Sequence, residues 1–516
     1  MNTPAAAVRA TWPLIAILAA AFALRVWGAG FGLPHTECRP DERQLVNLAT
    51  RVADGDLNPH YFIWPTLYVY VLAAVFRLEG LAGLFHDAPA RLAELIFTAR
   101  LLGVLLGTAL VYAVHEVSRI VSGRAAARTA AFLCAVTFLA VRESHFGMLD
   151  VPMTLAIVAA MTVLLGARVL TPWRAAAFGL AAGLAASIKF NGILVMVPGL
   201  VLALYDGARS KDLARTSWRL ALGMALAAIL GFLAGTPYAA LDAPAFLAGT
   251  RALHDHLASG HVHDGQQLAI GSPLRAYAFD LLPAAVGWPV VIVAAAGFVL
   301  LLVRQRREAV ALVSFPVAYL AAASTGSTVF ARYALPLVPF ICVAAAEAIA
   351  SLAGRAGHYK VAVVVALSAL LAFPSMRAAF WLDTLLARTD SRLLAAQWIA
   401  AHVPSGATIA QTGSVYGKVQ WSGSNWRETS LDATPQSLPD FVIVPRSPLR
   451  LYSRVPESVD ALINGDYRLV QDISTGIDAV APEAFDQSDA FFLPLQRSPA
   501  IRRPGPDVSI YERRAR

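Results

Sequence analysis

Two adjacent acids, Asp41 and Glu42, lie just past the outer end of the first long apolar run, in the stretch HTECRPDERQLVNLATRVADGDLNPHYFIWP. A carboxylate at a water–lipid boundary is placed to act as a general base where one reactant is a lipid and the other is not. A second acid, Asp150, opens a later apolar run within SHFGMLDVPM, with His145 five residues before it. Cations stand at the ends of other runs. Arg100 opens the second run, Lys189 interrupts another as SIKFNG, and Arg332 and Tyr333 begin ARYALPLVP. Charge this close to hydrocarbon is expensive unless it is paired or reaches outward to water. A lipid phosphate would satisfy such cations, and arginine suits it because its fork binds phosphate oxygens bidentately.

Each of these residues also has a plainer role open to it. Asp41 and Glu42 could be solvated loop acids, and Arg100 and Lys189 could be cations snorkelling from helix ends. Asp150 fits a helix N-terminus, because Pro152 follows in the first turn. His145 reads more simply as a satisfied histidine at the interface. The stretch HDHLASGHVHDG carries His254, His256, His261 and His263 beside Asp255 and Asp264. Two H-x-H pairs could bind zinc or another transition metal. On an irregular loop that signature is loose, and an acceptor-facing outer loop is the expectation, with no metal site assigned.

The elements that must position these residues are membrane spans. With 57% hydrophobic residues, 15% charged residues and a mean hydropathy of +0.58, a chain of 516 residues is not one soluble domain. Its formal net charge of +8 sits largely in short linkers between apolar runs. Lysine and arginine held on the cytoplasmic side account for that placement, and no nucleic-acid partner is implied. Three cysteines make no disulfide framework: Cys134 and Cys342 fall inside apolar runs, and Cys38 is alone in the outer loop. The N-terminus resembles a signal peptide after Arg9, but its apolar core is too long and lacks a small-residue cleavage site. An uncleaved first span with a cytoplasmic N-terminus is expected.

Apolar length and linker charge predict about 11 spans, near 12–33, 95–117, 126–143, 150–168, 175–190, 192–206, 217–236, 284–303, 309–324, 333–353 and 361–381. The aromatic-led stretch 61–84 is expected to lie re-entrant or along the surface, since a full crossing would move the basic linkers outside. The fold class expected is a polytopic α-helical membrane bundle over 1–385, with outer loops at 34–94 and 237–283. Residues 386–516 change character: an amphipathic helix pattern in DSRLLAAQWIAAHV precedes strand-like runs ATIAQT, DFVIVP, YRLVQDI and DVSIYER. That predicts a small C-terminal α/β domain outside the cytoplasm. No internal repeat is evident, which weakens an inverted-repeat transporter.

Several stretches, in this order, resemble the GT-C class of polyprenyl-phosphate-sugar-dependent glycosyltransferases, above all the protein O-mannosyltransferase (family 39) group, with the lipid A aminoarabinose transferases as relatives. They are PDERQLVNLA, FIWPTLYVY, FTARLLGVLLG, RESHFGMLDVPMT, GLAAGLAASIKFNG and ARYALPLVPF, and they cover roughly residues 1–350. The resemblance implies an inverting transfer of sugar from a polyprenyl-phosphate carrier to an acceptor hydroxyl on protein, lipid A or glycan at the outer membrane face. It implies Asp41 as the catalytic acid position, Glu42 as its neighbour and Asp150 as a second acid. Arg100 and Lys189 match family cations for the donor phosphate, and Arg332 with Tyr333 are a further candidate pair. His145 and the four loop histidines are possible acceptor or accessory residues. No cofactor is required by this reading. No phosphate loop or dinucleotide glycine fingerprint is present. A transporter or flippase using Asp150, Lys189 and Arg100 as a charge pathway is the competing class, and the tail beyond about residue 386 resembles nothing nameable.

Overall fold

A computed structural model of the chain describes residues 4–81, 88–166, 168–209, 212–259, 262–263, 266–267, 271–304, 307–421, 425–431, 438–453 and 455–515. The expected spans coincide with helices. Helix α1 (Pro4–Val26) leads into a turn that reaches α2 (Glu42–Ala53), a short helix burying Leu45, Val46, Leu48, Ala49 and Val52 on one face. That 3–4-residue spacing of apolar positions is what docks a helix on a core. Helix α3 (Leu67–Leu81) buries Tyr68, Val69, Leu72 and Phe76. Its 15 residues span about 22 Å, less than the roughly 30 Å of a bilayer core.

The next helices bring the candidate residues together. Helix α4 (Ala88–Ser122) is followed by α5 (Arg124–Val136) and α6 (Phe138–Ser144), which meet at 59° where Thr137 leaves the helical region. Helices α7 (Asp150–Leu165) and α8 (Pro172–Ile188) come next, then a 3-10 turn (Phe190–Val195) and Met196–Gly207. Leu213–Gly235, Trp288–Val303, Arg307–Ala323, Val338–Ala353 and Lys360–Leu386 complete the bundle. Among the described residues, four helical stretches are long and apolar enough to cross a bilayer alone, or six if each of two bent pairs is one crossing.

The stretch 237–283, expected as an outer loop, is partly helical. It holds the helix Ala243–Ser259 and a π-helical segment Ala276–Leu281 before the 111° elbow at Gly287. Gly287 takes φ +88°, which the elbow needs and a side chain would disfavour.

The C-terminal residues form the expected small α/β domain. Its sheet runs in the order Arg427–Ser430, Thr408–Gln411, Phe441–Arg446, Asp507–Arg513, Tyr467–Ile473. The first three strands are parallel and the last two pair antiparallel. The edge strand Arg427–Ser430 and the helix Glu457–Asp466 add to the elements expected from the sequence. The domain shares a core with the bundle: Phe31 and Phe146 pack edge-on against Phe491, with Phe138, Met148, Leu382 and Phe485 around them. His35 Nε2 lies 2.7 Å from the Lys418 carbonyl, and the Thr36 amide donates to Gln420 Oε1.

Candidate functional site: a junction of acids and cations

Asp41 stands immediately before α2 with φ +69°, in the left-handed region that non-glycine residues rarely occupy. An aspartate at this position ordinarily accepts an amide hydrogen bond from the first turn. Asp41 makes no such bond, and its Oδ2 instead accepts from Arg332 Nη2 at 3.1 Å. Its side chain keeps 33% exposure. A strained backbone that turns a carboxylate away from its helix and toward an arginine is a feature of functional sites.

Asp150, the first residue of α7, is buried and accepts from Lys189 Nζ at 2.6 Å. Lys189 is extended between the end of α8 and the 3-10 turn that follows. The reversal is tight: the Gly192 amide bonds the Lys189 carbonyl, and a Cβ on Gly192 would come within 2.5 Å of the Ala185 carbonyl oxygen. The lysine ammonium also lies 4.3 Å from the Tyr333 ring centre. Asp41–Arg332 and Asp150–Lys189 are thus joined through consecutive residues, Arg332 and Tyr333.

Arg332 lies in the 3-10 segment Ala331–Leu337 that opens the helix Val338–Ala353, with its guanidinium over the Phe330 ring. Its side chain is only 9% exposed. Its Nε and Nη1 are buried and have no hydrogen-bond partner among the described residues. A buried donor without an acceptor costs about 1–3 kcal/mol, more for a charged group, and Arg332 shares this feature with Arg39 and Arg142, each with Nε and Nη2 buried and without a hydrogen-bond partner among the described residues. The Tyr277 hydroxyl, from the π-helical segment, is buried beside the Phe330 backbone.

Three expected site residues find their partners elsewhere within the protein. Glu42 is buried, and its carboxylate takes Arg100 Nε and Nη2 at 2.7–3.2 Å together with the Gly147 amide at 2.9 Å. Arg100 Nη1 donates to the Ala29 and Phe31 carbonyls. Arg100 therefore has most of its donors committed, and the pair ties the end of α1 to α2, α4 and the turn before α7. Gly147 is needed at that turn, where a Cβ would lie 2.6 Å from Ala99 Cβ. His145 is buried with its ring nitrogens 2.9 Å from the Val141 and Trp27 carbonyls, and it faces Asp383 at 3.5 Å. It is a packing residue, not an accessory group facing an acceptor.

The histidine-rich stretch, expected as an irregular outer loop without a metal site, is partly helical. His254 and His256 are exposed on the helix Ala243–Ser259. Residues two apart on a helix project about 200° from each other, so this H-x-H cannot close on one ion. His261 lies outside the described residues, and His263 belongs to a two-residue strand pairing with Gln266. Among the described residues no group of three His, Cys, Asp or Glu side chains converges.

Behind Arg332 lies a buried charge cluster not anticipated from the sequence. Arg39 Nη1 donates to Asp489 Oδ1 at 2.5 Å and faces Glu143 at 3.6 Å. Arg142 bonds Glu143 and approaches Asp489 at 4.0 Å. Asp486 Oδ2 accepts from the Ala331 amide at 2.7 Å. Both aspartates come from the C-terminal domain. Burial and the nearby Asp489 charge push Asp486 up to about 6. Burial would raise Asp489 too, but Arg39, Arg332 and Arg142 overcome it and hold that carboxyl below its ordinary range. Faint signals existed in the sequence: Arg39 two residues before Asp41, and the Arg142–Glu143 pair inside RESHFG. A separate cavity of about 1100 Å³ between the 276–289 elbow, residues 374–378 and the tail shares only Asp486 with this cluster.

The sequence model of the family described as dolichyl-phosphate-mannose-protein mannosyltransferase matches residues 90–234. The structure is similar to ArnT from Cupriavidus metallidurans bound to undecaprenyl phosphate, with a TM-score of 0.53 at 16% identity over 97% of this chain and 98% of that one. It is also similar to the oligosaccharyltransferase AglB from Archaeoglobus fulgidus in complex with an inhibitory peptide and a dolichol-phosphate, with a TM-score of 0.53 at 13% identity. That match covers 79% of this chain but only 62% of the archaeal one. A complex of the archaeal enzyme with Zn and sulfate matches at a TM-score of 0.53 and 12% identity, over 97% and 88% of the two chains. A search of curated proteins gives no match. The chain shares the fold of these structures, a polytopic helical membrane bundle with a C-terminal α/β domain, and its segment 90–234 matches the mannosyltransferase family model.

Proposed function

We propose that the protein is an inverting glycosyltransferase that moves a sugar from a polyprenyl-phosphate carrier to an acceptor hydroxyl at the outer face of the cytoplasmic membrane. The observation that carries this reading is the partly exposed Asp41, held 3.1 Å from an arginine that has two further buried, unpartnered donors. The acceptor oxygen attacks the anomeric carbon as its proton passes to Asp41. The bond from that carbon to the phosphate oxygen breaks, and the bonding pair leaves with the polyprenyl phosphate. Arg332 and Lys189, already facing Asp41 and Asp150, receive the growing negative charge on the leaving group. Fixed cations take the place that a divalent ion would hold against the two acids. Asp150 holds Lys189 in place, and Tyr333 orders it from the other side. Arg100 and Glu42 support α2 from behind, with no direct role on the phosphate.

The alternative class, a carrier or flippase, expects its charges at the middle of the membrane. Here Asp41, Asp150, Lys189 and Arg332 all sit at helix ends. The ArnT and AglB structures were solved with undecaprenyl phosphate and dolichol-phosphate, which supports a polyprenyl-phosphate donor here. Mass spectrometry of envelope glycans, lipids and glycoproteins with and without the gene tests the reading. One hexose or pentose modification should disappear on deletion and return with the wild-type gene but not with Asp41→Asn. An unchanged glycan profile would refute it.

A further inference from the structure

The tail-domain turn Asp486–Asp489 reaches the candidate site through a side chain on a backbone amide. Asp486 is buried, and its Oδ2 accepts from the amide of Ala331, the residue immediately before Arg332. Its Oδ1 closes the turn on the Ser488 amide, and the Asp489 amide bonds the Asp486 carbonyl. Tyr452 Oη fixes the turn by donating to the Ser488 carbonyl, while Arg39 grips Asp489. At the other end of the hydrogen bond, Phe330 is extended and Ala331 begins the 3-10 segment, so the Ala331 amide has no partner within its own helix. The tail supplies that partner, and with it sets where Arg332 begins.

We propose that Asp486 is a positioning residue for Arg332, so that the C-terminal domain is part of the donor-phosphate site and not only a cover over it. This rests on the donor reading above. A carboxylate 2.7 Å from the Ala331 amide fixes the peptide plane next to Arg332. With that plane fixed, the guanidinium is confined between Asp41 and the Phe330 ring, and its free Nε and Nη1 are aimed before any lipid arrives. Losing the anchor frees the 3-10 start and spreads Arg332 over several rotamers, which weakens donor binding without touching the acceptor side.

The test uses the full chain in nanodiscs, with binding of a C55 polyprenyl monophosphate measured directly and donor and acceptor KM read separately. Asp486→Ala should weaken binding of the probe and raise donor KM about tenfold, the scale of one hydrogen bond, with acceptor KM unchanged. Asp486→Asn keeps an acceptor oxygen for the Ala331 amide and should restore binding to near wild type. Ala331→Pro removes the donor from the other side at a position where proline is tolerated, after a Phe330 already extended as proline requires. It should reproduce the Asp486→Ala loss, and serves if that variant does not fold. Glu483→Gln, an exposed acid in the same tail segment, should bind like wild type. Unchanged probe binding in folded Asp486→Ala or Ala331→Pro, a shift in acceptor KM alone, or no rescue by asparagine would overturn the proposal. If the wild-type chain itself fails to bind the probe, the donor reading falls and takes this inference with it.

Discussion

At the start of α2 an aspartate would ordinarily accept an amide hydrogen bond worth about 1 kcal/mol, yet Asp41 turns through a positive φ to meet Arg332 instead. The carboxylate gives up a local bond for one that only the assembled site supplies. Asparagine also tolerates the left-handed region, so Asp41→Asn should fold with unchanged thermal stability while transfer falls by about 10²-fold or more. Normal turnover by the variant would remove Asp41 from the chemistry. Asp486 makes a second residue-level prediction. Its folded pKa of about 6 lies above the ordinary aspartate value, so the native state binds the extra proton through the window from roughly pH 4 to 6. Stability contributed there is present at low pH and lost as pH rises toward 6. Thermal unfolding followed from pH 4 to 7 should therefore decline less steeply in Asp486→Asn than in wild type, and parallel curves would contradict the assignment.

Among elements, α2 shows why two neighbouring acids have different fates. Asp41 precedes the helix in the left-handed region and Glu42 is its first residue, so one carboxylate turns toward Arg332 and the other is driven into the junction of α1, α4 and the α7 turn. Glu42→Ala would leave Arg100 buried without its counter-charge, a loss of about 3–5 kcal/mol. It should appear as low yield and a lowered melting temperature, in contrast to the well-folded Asp41→Asn; a stable Glu42→Ala protein would mean that the pair does not hold α2. The helices themselves were legible from apolar length, and the tail strands from alternation and turn residues, because both signals are local. The partners of the charges were not. That Arg100 is used on Glu42, and that Asp486 and Asp489 enter the site from more than 100 positions beyond Arg332, depends on packing that no periodicity encodes. The helix within 237–283 was missed because its histidines drew attention, and its packing through Phe246 on Phe62, Phe190 and Phe232 depends on residues far away in sequence.

Across the whole molecule, the tail packs over the ends of the bundle where Asp41, Lys189 and Arg332 lie, sharing an aromatic core with the turns after α1 and α6. Basic linkers at the opposite helix ends fit cytoplasmic retention of lysine and arginine. An alkaline phosphatase fusion after Arg516 should be active, and a fluorescent fusion that needs the cytoplasm should stay dark; the reverse pair would place the tail and the site inside. The central claim is glycosyl transfer from a lipid phosphate, and reconstitution tests it most directly. Wild-type protein in nanodiscs, given a panel of C55 polyprenyl-monophosphate sugars and envelope acceptors, should release free polyprenyl phosphate. One acceptor should gain the sugar with inverted anomeric configuration, and Asp41→Asn should release no more than protein-free discs. Intact lipid-linked sugar throughout, or its movement across the bilayer without cleavage, would contradict the account.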